Sequence, residues 1–109
     1  MAFDAGLAQR IRGYIGDRHG VAEKKMFGGI AFMLYGNMCV GIVDDKLMAR
    51  VGTAAYDQLL KESQVTPMDF TGKPLKGYVY VHPDGLQADA QLARWIDRSI
   101  QFVATLPPK

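Results

Sequence analysis

Residues 24–51 constrain the fold more than any other part of the chain. Apolar residues recur there at every second position in three short runs, and the pairs Gly36-Asn37 and Asp44-Asp45 separate these runs. The alternating apolar positions are Ile30, Phe32 and Leu34; Met38, Val40 and Ile42; and Leu47, Ala49 and Val51. Such alternation is typical of strands with two different faces, and Gly and Asn accept the positive φ of tight turns. The stretch therefore predicts three antiparallel strands, and we expect the other segments to cover or extend this sheet.

Helical spacing on both sides of these strands predicts two helices. Asp4 is a candidate N-cap, and the apolar residues after it predict a helix that runs to about Arg18. Its apolar stripe consists of Leu7, Ile11, Tyr14 and Ile15. Beyond the strands, Thr53 is a candidate N-cap for a short helix that ends near Ser63.

The last helix has the clearest helical pattern in the sequence. Asp89 is its candidate N-cap, and Pro107-Pro108 is its stop. The apolar side of the pattern consists of Leu92, Trp95, Ile96, Ser99, Val103 and Leu106. We therefore expect Trp95 to be a core residue that packs on the sheet rather than a platform for a ligand.

The segment between the last two helices predicts more of the sheet. Residues 65–68 form a candidate short strand, which Pro67 confines to a sheet edge or a bulge. The turn residues of 70–76 predict a loop, and the β-branched and aromatic residues of 78–81 predict a strand. The predicted fold is α+β, with the order α-β-β-β-α-(β)-β-α: two layers, an antiparallel sheet with helices on one face.

Composition excludes some classes of protein and leaves others open. A chain of 109 residues fits one domain, residues 1–109, and is long enough to bury a core without disulfides or metals. Thirteen Lys and Arg against eleven Asp and Glu give a net charge of +2, and these charges are scattered along the chain. Charge balance alone therefore does not indicate binding to a polyanion.

The single cysteine and the short apolar runs indicate where in the cell the protein is expected. Cys39 is the only cysteine, so the chain cannot form an internal disulfide, and its position within a strand predicts a small buried hydrophobe. No apolar run approaches the roughly 20 residues of a membrane helix, and the N-terminus lacks the apolar centre of a signal peptide. A cytoplasmic location is the expectation.

Motifs for catalysis and cofactor binding are missing from the sequence. Gly28-Gly29 lacks the spacing of a dinucleotide loop, and Gly72-Lys73 lacks the upstream glycine of a phosphate loop. The two histidines, His19 and His82, are far apart in sequence, and no serine sits in a nucleophile elbow. The sequence therefore favours a protein that is not an enzyme, with no cofactor, no metal and no catalytic residue.

Two polar clusters are candidate binding sites. One precedes the first strong strand and the other lies in the predicted loop, and together they comprise Lys24, Lys25, Phe27, Asp69, Thr71, Lys73 and Lys76. Lysines near a strand also discourage aggregation at a sheet edge, and a loop rich in turn residues also serves as a tight connection. Arg50 shares a strand face with Met48, and Asp69 is a candidate partner for its guanidinium.

Several of these stretches resemble the N-terminal domain of the TfoX/Sxy family of bacterial competence regulators. The matching motifs are KKMFGGIAFML (24–34), GNMCVGI (36–42), LMARVG (47–52) and MDFTGKPLKGYVYV (68–81), together with the helix around Trp95 and the ending TLPPK. The resemblance implies an α+β fold similar to secretion-chaperone-like folds and a role in competence and transcription regulation. It supplies no catalytic residues.

Longer members of that family carry a second, C-terminal domain and are associated with activating competence genes alongside the cyclic-AMP receptor protein. This chain ends at Lys109 without a counterpart of that domain, so we expect a stand-alone N-terminal domain.

Three hypotheses for the function follow. The first is a regulatory protein-interaction module that acts through a partner of the transcription machinery, with a homodimer as a further possibility. The second is direct nucleic-acid binding, which requires Lys24, Lys25, Lys73 and Lys76 to converge on one face. The third is a small-molecule sensor or an unrecognised enzyme, which requires a pocket near residues 28–29 and 69–71.

Overall fold

A six-stranded antiparallel sheet forms the centre of the fold. The computed structural model describes residues 4–16, 18–26, 29–70 and 72–108. The elements in chain order are α1 (Ala5–Ile15), β1 (Val21–Met26), β2 (Gly29–Leu34), β3 (Asn37–Val43), β4 (Lys46–Arg50), α2 (Thr53–Leu59), β5 (Val65–Phe70), β6 (Lys73–Val81), a 3₁₀ turn (Pro83–Gly85) and α3 (Asp89–Val103). The strands lie in the order β1-β2-β3-β4-β6-β5. The predicted α+β class and element order are confirmed, and β1 adds an edge strand before the three predicted ones.

All three helices pack on one face of this sheet, which we call the helical face. Alternate residues of the central strands join apolar residues of α1, α2 and α3 in one buried cluster. Its main members are Ile30, Phe32, Val40, Ile42, Leu47, Ala49, Val79 and Val81 from the strands, and Leu7, Ile11, Tyr56, Leu59, Trp95, Ile96 and Val103 from the helices. Trp95 is 5% exposed, so its predicted place in the core is confirmed. The arrangement has two layers, because a half-apolar sheet and amphipathic helices bury each other's apolar sides.

A bulge in β3 changes the side on which Cys39 lies. Phe32 pairs with Val40, whereas the next residue of β2, Met33, pairs with Met38, so Cys39 has no residue opposite it. An extra residue in one strand breaks the strict alternation of side chains. Cys39 and Val40 therefore both join the core cluster, and the prediction that Cys39 is buried is confirmed.

The predicted loop at residues 70–76 is instead part of a hairpin. β5 is an edge strand, as the proline in it predicted, and its end pairs with the start of β6 through Asp69↔Pro74 and Phe70↔Lys73. The register then shifts before Pro67↔Val79, so β6 carries a bulge. Gly77 in this bulge has φ 96°, and its carbonyl oxygen accepts hydrogen bonds from Val51 N at 2.8 Å and Gly52 N at 3.1 Å.

The first helix begins as the sequence predicted but ends earlier. Asp4 is its N-cap, since Asp4 Oδ1 accepts a hydrogen bond from Leu7 N at 3.1 Å, as predicted. The helix ends at Ile15, before the predicted end at Arg18, because Gly16 turns the chain with a φ of 60°. Tyr14 was expected in the apolar stripe but is 46% exposed, and its hydroxyl donates to the Asp97 carboxylate at 2.8 Å. The N-caps of α2 and α3 are Gly52 and Ala88, each one residue before the predicted Thr53 and Asp89, and the helices end at Leu59 and Val103, before the predicted stops.

Candidate functional site

The sheet face opposite the helices carries the most distinctive group of side chains. One register row crosses all six strands on this side and consists of Lys24, Ala31, Gly41, Met48, Tyr80 and Thr66. Residues of one row project from the same side of a sheet, and none of these six belongs to the buried cluster beneath the helices. We call this side the second face.

The centre of the second face is closely packed. Ala31 and Met48 are each 1% exposed. A Cβ built on Gly41 would lie 2.7 Å from Met48 Cε and 2.8 Å from the Ile30 carbonyl oxygen, so the Met48 side chain covers this glycine. The middle of this face is therefore a filled apolar surface rather than a cleft.

Two cations lie over two tyrosines beside this centre. Lys46 Nζ is 5.5 Å from the centroid of the Tyr80 ring, and Arg50 Cζ is 5.3 Å from the centroid of the Tyr78 ring. Such distances allow attraction between a cation and the π face of a ring. The strand register brings each cation close to its ring. Arg50 pairs directly with Tyr78, and Lys46 lies two residues before Met48, which pairs with Tyr80.

Arg50 has contacts other than the one predicted for it. Its guanidinium also lies 5.8 Å from the Phe102 ring, and Nη1 donates to the Met38 carbonyl oxygen at 3.4 Å. Among the described residues, no ion pair joins Arg50 and Asp69. The suggested pairing with Asp69 is replaced by stacking on aromatic rings, which the planar guanidinium also favours.

Tyr80 lies in an environment that keeps its hydroxyl protonated. Partial burial raises the pKa of Tyr80, and the nearby carboxylates of Asp44 and Asp69 raise it further. Asp44 Oδ2 is also 3.7 Å from Lys46 Nζ, so the carboxylate, the ammonium and the ring form one group. At neutral pH Tyr80 therefore presents an apolar ring and a neutral hydroxyl, a combination common at protein interfaces.

The nearest approach to a catalytic pair is a contact between His82 and Thr66. His82 Nε2 and Thr66 Oγ1 are 2.9 Å apart. A nucleophile with a base also needs a third group that orients the base, and within the described part of the chain no hydrogen bond reaches His82 Nδ1. The same part of the chain contains no cluster of three His, Cys, Asp or Glu able to hold a metal ion.

We expect Cys39 of the folded protein to resist thiol reagents. Burial raises the pKa of its thiol to about 12, although Arg18 and Arg50 favour the thiolate. The thiolate is the reactive form, so modification at pH 8 should be slow in the folded state and fast in urea. The rate of reaction with a chromogenic disulfide reagent measures this difference. Rapid modification without denaturant would show that the thiol is accessible.

The structure places the predicted site residues on strands that lie far apart in the sheet rather than together. Lys24 and Lys25 lie in β1, whereas Lys76 lies in the bulge of β6, and β2, β3 and β4 separate these strands. Asp69 is exposed on β5 and lies near Tyr80. Three of the predicted site residues cannot be placed, because Phe27, Thr71 and the side chain of Lys73 lie outside the described part of the chain.

Sequence reasoning missed the tyrosine–cation pairs as a group. Tyr78 and Tyr80 were predicted only as strand residues, and Lys46 was not singled out. The period-two spacing of Lys46, Met48 and Arg50 was the available signal, since it places all three on one side of a strand.

A polar cavity of about 290 Å³ lies on the helical side of the fold, away from the second face. The turn after α2, the 3₁₀ turn and α3 line it, including Glu62, Asp84, Arg94 and Trp95. Arg98 lies beside it, with Nη1 3.9 Å from Glu62 Oε2 and Cζ 4.6 Å from the Trp95 centroid. This cavity is not at either position that the small-molecule hypothesis named.

The fold and the site together define a two-layer α+β domain with helices on one face of its sheet and tyrosine–cation pairs on the other. None of the described helices combines the length and the apolar character needed to cross a membrane. A model of the TfoX N-terminal domain family matches residues 14–103 of the 109 in the chain. The chain belongs to this family, which confirms the resemblance. Neither a curated protein nor a solved structure matches it.

Proposed function

We propose that this protein is a non-enzymatic interaction module that binds a protein partner through the second face. Membership of the TfoX N-terminal domain family supports a competence-related role. In this proposal residues 1–109 act as one cytoplasmic domain on a partner of the transcription machinery. The observation that carries it is the pair of tyrosines, Tyr78 and Tyr80, each beneath a cation. Lys46 covers Tyr80 on the second face, and Arg50 covers Tyr78 at the end of β4, where it also reaches Phe102 of α3.

The side chains of the second face are of the kinds that protein interfaces favour. Tyr and Arg are enriched in interfaces and among the residues that contribute most to binding. Tyr78 and Tyr80 are half-buried, and their contacts with Arg50 and Lys46 already restrict the rings. Ordered side chains lose less conformational entropy on binding, which favours an interface here.

We expect Tyr80→Ser to reduce partner capture more than tenfold, because loss of a central aromatic residue typically costs an interface about 2 kcal/mol or more. The tagged protein would be incubated with its native lysate, and bound proteins would be quantified by mass spectrometry. Tyr35→Ser is the matched control, since Tyr35 is an exposed tyrosine in the turn between β2 and β3. Thermal unfolding would verify that both variants fold.

The same capture also tests the residues predicted from sequence. Lys24→Glu changes a charge on the edge strand β1, and Lys76→Glu changes one in the bulge of β6. Nuclease treatment and high salt distinguish nucleic acid from protein. A partner lost with Tyr80→Ser but retained by Lys76→Glu fits the proposal, and Lys24→Glu tests whether the interface extends to β1. A partner lost only with Lys76→Glu would move the interface to the β6 bulge. Recovery of nucleic acid alone, released by salt, would support the nucleic-acid hypothesis instead.

A further inference from the structure

The edge strand β1 is regular enough to pair with another strand. All six of its residues pair with β2 in one unbroken register, from Val21↔Leu34 to Met26↔Gly29. At the opposite edge of the sheet, β5 contains Pro67 and a register shift, and both features disfavour pairing with a further strand. Of the two edges, β1 is therefore the one suited to receive a strand.

The hydrogen bonding of β1 shows which of its backbone groups face away from β2. Tyr35 N donates to the Gly20 carbonyl oxygen at 2.8 Å, and these two residues continue the register of β1 and β2. In an antiparallel ladder, hydrogen-bonded pairs alternate with pairs that do not exchange hydrogen bonds. Counting from Gly20, the N–H and C=O groups of Val21, Glu23 and Lys25 point away from β2.

The side chains at this edge carry excess positive charge. Arg12 of α1 donates two hydrogen bonds to the Glu23 carboxylate, at 2.7 and 2.8 Å, and this contact lowers the pKa of Glu23. Glu23 and Arg12 thus neutralise each other, whereas Lys24 and Lys25 are exposed. The register places Lys24 opposite Ala31 on the second face and Lys25 opposite Ile30 on the helical face. The edge therefore has a net charge of +2.

We propose that β1 receives an extended acidic segment of a partner protein, which adds to the sheet as a further strand. Strand addition gains affinity from main-chain hydrogen bonds and specificity from alternate side chains. Lys24 and Lys25 lie on opposite sides of the strand, so the segment that fits has two consecutive acidic residues, one facing each lysine. A second copy of this chain fits less well, because its β1 would bring another charge of +2 to the same edge.

This proposal goes beyond the proposed function, because it concerns the β1 edge rather than the tyrosines of the second face, and rests on it only for the class of partner, a protein. The probe is a synthetic ten-residue peptide of alternating Thr and Val with Asp-Glu at its centre. Controls are the same peptide with Lys-Lys at the centre and one with a methylated backbone nitrogen at a residue that would face β1. We expect binding of the acidic peptide, measured by fluorescence anisotropy, to weaken at least tenfold with either control and to weaken with added salt.

Two protein variants and an exchange measurement make the test specific to β1. Lys24→Glu/Lys25→Glu should abolish binding, whereas Lys61→Glu, an exposed lysine after α2, should not change it. Amide exchange followed by NMR should show new protection at Glu23 and Lys25 when the peptide binds. Ala22 and Lys24 should change little, because by the same alternation their amides already face β2.

Several results would overturn the proposal. Absence of peptide binding would do so, as would binding without protection of Glu23 and Lys25, since a purely electrostatic contact leaves those amides free. Protection that rises with protein concentration in the absence of peptide would identify a second copy as the occupant. The Tyr80→Ser variant distinguishes the two proposals, because it should weaken partner capture but leave binding of the acidic peptide unchanged. If the peptide does not bind and Tyr80→Ser still weakens partner capture, only the β1 proposal fails.

Discussion

Replacement of Trp95 by alanine should lower the free energy of unfolding by about 3–5 kcal/mol, the usual range for removing a buried tryptophan side chain. Trp95 is 5% exposed and joins the core cluster beneath the sheet. A domain of this size is typically stable by only about 5–15 kcal/mol, so the variant should be close to unfolding at physiological temperature. Urea unfolding followed by far-ultraviolet circular dichroism measures the change, since Trp95 is the only tryptophan and its fluorescence is lost.

Two neighbours on the same helix provide controls for this prediction. Arg94 is exposed, so Arg94→Ala should change stability by less than about 0.5 kcal/mol. Arg98 lies over the Trp95 ring, and Arg98→Ala isolates the contribution of that contact, expected to be on the order of 1 kcal/mol. A loss below about 1 kcal/mol for Trp95→Ala would mean that the ring does not fill the core.

Replacement of Gly29 by alanine should destabilise the protein by about 3 kcal/mol, through close approach of two backbones. A Cβ built on Gly29 overlaps the Ile42 carbonyl oxygen and lies 3.0 Å from the Ile42 carbonyl carbon. These atoms belong to the backbone of β3 and cannot rotate away as a side chain would. The strands would have to separate at their paired residues, Ile30↔Ile42, to make room.

The same substitution at Gly13 is the matched control. Gly13 lies on the exposed side of α1, and a Cβ built there meets nothing within 4 Å. Alanine restricts the unfolded chain and favours a helix, so Gly13→Ala should stabilise the protein by about 0.5–1 kcal/mol. Chemical unfolding of the two variants should therefore give changes of opposite sign. A neutral Gly29→Ala would contradict the close approach of β2 to β3.

Sequence patterns predicted the central strands but not β1. In β2, β3 and β4 large apolar residues recur at every second position because one side of each strand packs beneath the helices, so the period is visible in the sequence. The β1 sequence VAEKKM has charged and apolar residues on both sides of the strand, so no period marks it. Its extended conformation depends on pairing with β2. The charged strand edge suggested for Lys24 and Lys25 does lie within β1.

The candidate site could be predicted only in part, because its members meet through distant pairings. Lysines and turn residues were selected by local chemistry, and the fold places Lys24 and Lys76 on strands that three others separate. Arg50 and Tyr78 become neighbours only because β4 pairs with β6 across the intervening α2 and β5. No pattern within β4 or β6 indicates that these two strands pair with each other.

The sequence by itself determined the α+β class, the sides of β2 and β4, the cap at Asp4, the core position of Trp95 and the membership of a family. Each of these depends on periodicity or chemistry within a short window of the chain. The tertiary structure alone decided the bulge at Cys39, the hairpin at residues 65–81 and the tyrosine–cation pairs of the second face. These features depend on the register between strands, which is set by packing among residues distant in sequence.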